Sequence, residues 1–288
     1  MNFWHVRIPK AVRKHPKFGK VASIDTSGYE VHPNKIIRYL ASKFISKKSN
    51  LSYQGDSNNP LNIELEITLR CNSKCPQCSR HCNIISYGDS DMTMEQINKL
   101  ISQVLSSNIE IGHITVMGGE PTIHPHFEEI TLLLNESLVR TQKVKTLEVA
   151  TNGILEIPES ILKLPIQIRV SPLSAKRHRC QFIAPKDTGQ ETRFCDGPYV
   201  CGIALNCYGY FPCGAGGAIA RFFNMKKFIM YELPSSLTDF GDLKELCSLC
   251  QASAVHQRMY GVDDPTPSKS FEEALRNFKK RKHQFRYF

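Results

Sequence analysis

The most constraining feature of this 288-residue chain is a group of three cysteines, Cys71, Cys75 and Cys78, with the spacing C-x3-C-x2-C. The group directly follows residues 61–69, whose composition predicts a β-strand. Thiolates suit iron–sulfur clusters, and a [4Fe–4S] cube has four irons to ligate. Three clustered cysteines therefore leave one iron without a protein ligand, and an open iron is a place for chemistry.

Polar or glycine residues follow each of three further strand candidates: Gly118-Gly119-Glu120 after residues 114–117, Thr151-Asn152-Gly153 after 146–150, and Ser171 after 166–170. Glycines let a backbone approach a ligand closely, and a carboxylate can pair with an ammonium group. The spacings leave room for helices between the strands. This pattern is typical of a β/α barrel, whose functional site lies at the C-terminal ends of its strands.

In this order, the motifs resemble those of the radical S-adenosylmethionine (SAM) superfamily. The resemblance implies that Cys71, Cys75 and Cys78 bind a [4Fe–4S] cluster whose fourth iron is chelated by SAM. The cluster would give SAM one electron from a donor such as flavodoxin or ferredoxin, and the resulting 5′-deoxyadenosyl radical would abstract a substrate hydrogen. Gln77 departs from the family, where that position is usually aromatic. The residues implied to contact SAM are Gly118, Gly119, Glu120, Thr151, Asn152 and Ser171.

A second group of cysteines lies towards the C-terminus. Residues 203–211 predict a β-hairpin that leads into Cys213, and a C-x2-C pair follows 34 residues later. This arrangement resembles twitch, the shortened form of the SPASM domain. The resemblance implies a second, auxiliary [4Fe–4S] cluster, with Cys201 as an alternative to the first of its ligands and a zinc site as an alternative to the cluster. The implied ligands are Cys195, Cys213, Cys247 and Cys250.

The predicted fold is α/β, a truncated (β/α) partial TIM barrel with a small cysteine-rich α+β auxiliary domain. Only 23 residues separate Ser171 from Cys195, so we expect four or five barrel strands instead of the family's usual six, with residues 182–184 as one more strand. The predicted divisions are a basic N-terminal extension at 1–60, the core at 61–190, the auxiliary domain at 191–255 and a basic tail at 256–288.

Three helices are predicted from apolar periodicity. Residues 33–45 form one in the N-terminal extension, before a polar linker at 46–60. Thr93 and Gln96 form a capping box at the start of the second, and residues 127–136 form the third.

Charge and cysteine usage narrow the class of protein. The net charge is +10, and residues 1–60 hold eleven Lys and Arg against three acids. The basic ends allow RNA as a binding partner. We favour a role in solubility for them, because neither end has an RNA-binding signature. An odd number of cysteines, eleven, argues for metal chemistry over disulfides. No segment has the roughly 20 apolar residues of a membrane helix, and we expect a cytoplasmic protein.

Several functions remain open at this stage. Oxidation or epimerisation of a small polar substrate, such as an amino sugar or cyclitol, fits the short twitch form best. Maturation of a ribosomal peptide and modification of RNA are alternatives, and a zinc-ribbon nucleic-acid-binding protein is the non-enzyme alternative, with Cys82 or His81 as a fourth ligand. For an epimerase, Cys207 is the first choice of hydrogen donor and Cys201 the second.

Overall fold

The computed structural model describes residues 23–24, 61–75, 78–82, 90–170, 178–179, 182–192, 195, 197–254, 259–260, 266–280 and 288. The described strands are β1 Ser23–Ile24, β2 Leu61–Thr68, β3 Ile111–Gly118, β4 Val144–Thr151, β5 Gln167–Val170, β6 His178–Arg179, β7 Ile203–Asn206, β8 Gly209–Phe211 and β9 Met259–Tyr260. The described α-helices are α1 Met94–Ser106, α2 Phe127–Leu134, α3 Glu159–Leu162, α4 Gly197–Val200, α5 Gly214–Phe222, α6 Lys244–Ser248 and α7 Lys269–Lys280. The predictions for Gln77, Ser171 and residues 33–60 lie outside the described residues.

The main sheet has the strand order β1-β5-β4-β3-β2-β7-β8, and every neighbouring pair is parallel except β7 with β8. Strands β2 to β5 lie side by side in chain order, as successive β–α–β units require. All four strands predicted for the core are therefore present. Two strands were not predicted to join them: β1 pairs with β5, and β7 pairs with β2.

The prediction of one more strand at residues 182–184 is wrong. Phe182, Ile183 and Ala184 are buried but form no strand, and Pro185 opens a 3₁₀ turn, Pro185–Thr188. The burial has a different cause from sheet pairing. The ring of Phe182 packs on His81 at 4.8 Å and on Phe271 of α7 at 5.9 Å between centroids.

The two faces of the core sheet differ in chemistry because side chains alternate along a strand. On β2, Ile63, Leu65 and Ile67 are fully buried in the hydrophobic core. The intervening Glu64 and Glu66 are also buried, at 8% and 0% exposure. An acidic strand face that is covered must meet partners inside the protein, since buried carboxylates are stable only when they are paired.

The helix predictions in the core are confirmed. Thr93 Oγ1 accepts a hydrogen bond from Gln96 N at 3.2 Å, and Thr93 N donates to Gln96 Oε1 at 2.9 Å, completing the capping box that starts α1. Helix α2 begins at Phe127 and continues into a π turn, Asn135–Val139. The predicted hairpin is also present, as β7 and β8 joined by Cys207 and Tyr208.

Helix α7 covers the aromatic group around His81. Phe271 packs edge-on against His81 at 5.6 Å, and Phe278 stacks on Phe222 at 5.8 Å. Asp187 anchors the start of the helix, because its carboxylate accepts hydrogen bonds from Ser268 Oγ at 2.5 Å, Ser270 N at 2.8 Å and Ser270 Oγ at 2.6 Å. None of the helices in the described part of the chain has the length and hydrophobicity that crossing a bilayer requires.

The Asp187 anchor predicts a pH-dependent stability. Burial is the largest single effect and opposes ionisation, but hydrogen bonds from Ser268 and Ser270 together outweigh it and lower the pKa of the Asp187 carboxyl in the folded protein. Its stabilisation is therefore complete above the unfolded-state pKa of about 3.9 and is lost as the pH falls from there through the lowered folded-state pKa. We expect Asp187→Asn to destabilise the apoprotein at pH 7, with a difference from the parent chain that shrinks below about pH 4. Urea unfolding at several pH values measures this; a difference independent of pH would contradict it.

Candidate functional site

The loop after β2 and the end of β3 form the centre of the candidate site. Gly119 N donates to Thr68 O at 2.8 Å, and Glu120 N donates to Arg70 O at 2.9 Å. These bonds continue the parallel pairing of β2 and β3 beyond the strands and bring the Gly-Gly-Glu motif alongside Cys71. A Cβ at Gly118 would overlap the carbonyl oxygen of Thr68, and one at Gly119 would overlap that of Arg70. The two glycines therefore permit the approach of the cysteine loop itself.

Hydrogen bonds to Glu120 connect the end of β4 to the end of β3 and the cysteine loop. This carboxylate is 1% exposed, and its Oε1 accepts hydrogen bonds from Thr122 Oγ1 at 2.6 Å and Thr151 Oγ1 at 2.7 Å. Its Oε2 accepts from Asn152 N at 2.7 Å. Asn152 Nδ2 in turn donates to Asn72 Oδ1 at 2.7 Å, between two of the predicted cluster cysteines. Five of the six residues predicted to contact SAM, all but Ser171, thus meet at one edge of the sheet.

The three cysteines of the first group lie on this loop, each partly buried. The pKa of the Cys71 thiol is raised to about 11, mainly by burial and also by the charges of Cys78, Glu120 and Cys75, against a hydrogen bond from Ser73 N that lowers it. Ser73 N lies 3.4 Å from Cys71 Sγ, and Ser73 Oγ lies 3.4 Å from Cys75 Sγ. Amide and hydroxyl groups next to sulfur are the surroundings that iron–sulfur ligands have in proteins.

Cys82 contacts the third cysteine. A hydrogen bond from Cys82 is the main cause that lowers the pKa of Cys78 to about 6, and the Arg80 cation also lowers it against the effect of burial. The same hydrogen bond, followed by burial, raises the pKa of Cys82. Across the described residues, no three His, Cys, Asp or Glu side chains are already gathered in a metal-binding geometry. The donor set nevertheless fits a cluster, because three adjacent soft thiols are what it requires.

The second group of cysteines includes one residue at the start of α5. Cys213 is the residue that precedes this helix, and its Sγ accepts a hydrogen bond from Gly216 N at 3.2 Å. Burial first, and then the charges of Cys250 and Cys195, raise the pKa of the Cys213 thiol. The same two charges, after burial, help to raise the pKa of Cys247 to about 12. The charges of Cys195 and Cys250 thus influence both Cys213 and Cys247, and four thiols are a complete donor set for a [4Fe–4S] cube.

The alternative ligand and the candidate hydrogen donor lie elsewhere. Cys201 is exposed, and its charge raises the pKa of Arg80. The charge of Cys195 instead raises the pKa values of both Cys213 and Cys247. Cys207 lies in the β7–β8 turn with 0% exposure, and burial is the main cause that raises its pKa to about 12. Of the two cysteines considered as hydrogen donors, only Cys201 is open to a bound molecule without movement of the chain.

A buried group of charges, which the sequence motifs did not indicate, lies between the two sets of cysteines. Arg80 Nη2 pairs with Glu64 Oε1 at 2.8 Å, and Arg80 Nε pairs with Glu66 Oε1 at 2.6 Å. The other oxygen of Glu66 accepts from Asn206 Nδ2 at 2.8 Å and lies 3.5 Å from Arg221 Nη1. The alternation of acids with Ile and Leu on β2 was the only signal, and such alternation is more often a solvent-exposed face.

Comparison with known proteins supports part of this picture. Residues 65–192 match the Radical SAM superfamily. The matched segment is 128 of the 288 residues and includes every motif of the core, from Cys71 to Ser171. The resemblance inferred for the core is confirmed over that segment. This superfamily uses a [4Fe–4S] cluster and SAM, and the twitch-like assignment of the later cysteines, which lie beyond the matched segment, stays a prediction.

Parts of the chain are also similar to solved structures, whereas the search of curated proteins found no match. One is BtrN in complex with AdoMet and 2-DOIA, at 14% identity and a TM-score of 0.46, over 69% of this chain and 97% of BtrN. Another is Streptococcus suis SuiB bound to precursor peptide SuiA, at 15% identity and a TM-score of 0.30, over 47% of this chain and 28% of SuiB. SuiB bound to S-adenosylmethionine is similar at 17% identity and a TM-score of 0.30, over 46% of this chain and 28% of SuiB.

The glycine contacts predict that Gly119→Ala displaces the cysteine loop. The added methyl group overlaps the Arg70 carbonyl and crowds Cys71, so we expect the first cysteine group to lose most of its iron on anaerobic reconstitution. Gly189→Ala is the control for steric contact, because an added Cβ at Gly189 meets no atom within 4 Å. Its left-handed φ of 62° adds a backbone strain that Gly119→Ala does not carry, so the control is the more demanding one for backbone conformation. Iron and sulfide analysis measures the result. Equal iron content in the two variants would show that the close approach is not needed for loading.

Proposed function

We propose that this chain is a radical SAM enzyme that binds its first [4Fe–4S] cluster through Cys71, Cys75 and Cys78. The observation that carries the proposal is the meeting of three strand ends at Glu120. Its carboxylate joins the Gly-Gly-Glu motif to Thr151 and Asn152, and a side-chain bond links Asn152 to the cysteine loop. The family match over residues 65–192 supports the same conclusion.

Glu120 has the geometry to hold the amino group of SAM. Within the described residues, Oε1 accepts three hydrogen bonds and Oε2 accepts one, from Asn152 N. A carboxylate oxygen has two lone pairs, so Oε2 has room for one further donor. The surrounding Thr151 and Thr122 fix the orientation of the carboxylate before the ligand arrives, and an oriented acceptor loses little entropy on binding.

The cluster, when bound, supplies the electron that cleaves SAM reductively, and a ferredoxin or flavodoxin is the donor that we propose for it. The residues of this chain position the reactants and exclude water, which is the part of such chemistry that a protein contributes. The burial of Glu120, Thr151 and Met92 closes the site on the side of the sheet. A closed site protects a reactive radical from solvent.

We assign the auxiliary site to Cys195, Cys213, Cys247 and Cys250. The mutual effects of their charges support Cys195 over Cys201 as the first ligand. Four thiolates would fill every iron site of a cube, so this cluster would have no open iron for SAM. A cluster whose four irons all have protein ligands can accept an electron from the substrate radical, or it can stabilise the fold beside the substrate.

The substrate that we propose is a small polar molecule, such as an amino sugar or cyclitol, which is oxidised or epimerised. The inner face of the core sheet supports a polar ligand, since it carries Thr115, Glu148 and Arg169 on neighbouring strands. Glu148 Oε1 pairs with Arg169 Nε at 2.7 Å, and the Arg169 side chain keeps 27% exposure. Hydroxyl and amino groups of such a substrate can exchange hydrogen bonds with these side chains.

The assignment of Glu120 predicts weaker SAM binding in Glu120→Gln. The substitution removes a charge-assisted hydrogen bond to the ammonium group, worth about 1.5–3 kcal/mol. Iron content should stay at the parent level, because Glu120 is not a cluster ligand. Calorimetric titration of the reconstituted protein with SAM measures the affinity, and Glu128→Gln on the exposed side of α2 is the control. Unchanged affinity in Glu120→Gln would show that another group binds the amino end of SAM.

The two cysteine groups predict separable metal losses. The parent chain should hold about eight iron and eight sulfide if each group binds a four-iron cube. Replacing Cys71, Cys75 and Cys78 with Ala should remove about half and abolish SAM cleavage. Replacing Cys213 and Cys250 should remove the other half and leave SAM cleavage intact, while product formation fails. Retained iron in the Cys213/Cys250 variant would contradict the auxiliary assignment, and zinc without sulfide would favour a zinc-ribbon protein.

A further inference from the structure

The buried charges on the inner face of β2 lie between the two cysteine groups. Arg80 belongs to the first group's loop, two residues after Cys78, and its side chain is about 10% exposed. Its guanidinium spans two carboxylates of the same strand face, with Nη2 on Glu64 and Nε on Glu66, at 2.8 and 2.6 Å. A rigid, planar cation that meets two acids at once fixes the loop in one position against the strand.

The same pair of residues reaches the second cysteine group. Glu64 Oε2 accepts a hydrogen bond from Gly214 N at 3.1 Å, and Gly214 follows Cys213 directly at the start of α5. The backbone of Gly214 lies so close that a Cβ there would overlap the Arg80 guanidinium. One carboxylate thus binds the loop of Cys78 on one oxygen and the backbone beside Cys213 on the other.

The positive charge of Arg80 interacts electrostatically with thiols of both cysteine groups. Burial disfavours its charged form, but the carboxylates of Glu64 and Glu66 outweigh this and raise the pKa of Arg80, so that it remains a cation at all ordinary pH values. The thiols of Cys201 and Cys213 add to the effect. On the other side, Arg80 is among the groups that favour the thiolate of Cys78. A fixed cation near thiolate ligands stabilises the reduced, more negative form of a cluster.

We propose that Arg80 is a positioning residue shared by the two cysteine groups: with Glu64 it holds the Cys78 loop against the backbone that follows Cys213, and its charge raises the reduction potential of both clusters. This inference rests on the proposed function for its cluster part. The positioning part concerns the protein alone and can be measured without metal. The match of one guanidinium to two carboxylates explains why an arginine, and not a lysine, stands at this position.

Three variants test the proposal. Arg80→Gln removes the cation and leaves Glu64 and Glu66 buried without it. Arg80→Lys keeps the charge but cannot span both acids in the same planar arrangement. The double variant Arg80→Gln/Glu64→Gln removes the pair together, which relieves the uncompensated carboxylate and keeps the fold accessible if Arg80→Gln alone does not fold. Arg140→Gln is the control, since Arg140 forms an exposed ion pair with Glu136 and contacts neither Glu64 nor Glu66 in the described ion pairs.

The metal-free measurement is hydrogen exchange of the apoprotein. In Arg80→Gln, the amides of the segment that contains Gly214 should exchange faster, because Glu64 is no longer held in place. The amides of α1 report global opening in the same sample. A selective gain at the Gly214 segment supports the positioning role. An equal gain in α1, or no gain beyond that of Arg140→Gln, overturns it.

The metal-loaded measurement is the reduction potential of each cluster, followed by electron paramagnetic resonance. One cluster is isolated by replacing Cys213 and Cys250 with Ala, and the other by replacing Cys71, Cys75 and Cys78. In each background Arg80→Gln should shift the potential to more negative values, and Arg80→Lys should restore most of the shift. The double variant loses one charge of each sign, so its potential should stay closer to that of the parent. A shift in only one background, or in neither, overturns the shared role. If the parent chain binds no cluster, the proposed function fails, and hydrogen exchange alone decides the positioning of Arg80.

Discussion

The candidate site depends on the close backbone approach between the loop after β2 and the end of β3. Two hydrogen bonds, from Gly119 N and Glu120 N to the carbonyls of Thr68 and Arg70, extend the parallel ladder past both strands. Any side chain at Gly118 or Gly119 would collide with those carbonyls. Because the approach is this tight, a loop with three cysteines, a carboxylate and the end of β4 share one edge of the sheet.

The buried charged residues connect segments of the chain that are distant in sequence. Glu66, Arg221 and Asn206 are fully buried, and Glu64 and Arg80 nearly so. Such charges are costly to bury unless they are paired, and here Arg80 pairs with both Glu64 and Glu66. Here the arrangement joins three parts of the chain that are far apart in sequence: β2, the loop after Cys78 and the start of α5. The hairpin strand β7 completes the enclosure by pairing with β2.

Much of the core could be predicted from local signals. Alternation and apolar runs indicated β2 to β5, the Thr93–Gln96 box indicated the start of α1, and the glycine near residue 208 indicated the β7–β8 hairpin. The strand at residues 182–184 was wrong because a buried apolar run does not reveal its partner, and Phe182 packs in an aromatic group instead of a sheet. The pairing of β1 with β5 joins residues nearly 150 positions apart, and no local pattern carries that information.

The sequence by itself determined the chemistry of the site: three thiols at a fixed spacing, glycines and a carboxylate after the next strand, and a second set of four thiols. These depend on residue type and short-range spacing, which a sequence states directly. Tertiary structure decided which residues surround that chemistry. The donors on Glu120, the choice of Cys195 as a neighbour of Cys213, and the span of Arg80 across Glu64 and Glu66 all arise from contacts between distant segments. Only packing brings such segments together, because the hydrophobic core and the sheet register fix their positions jointly.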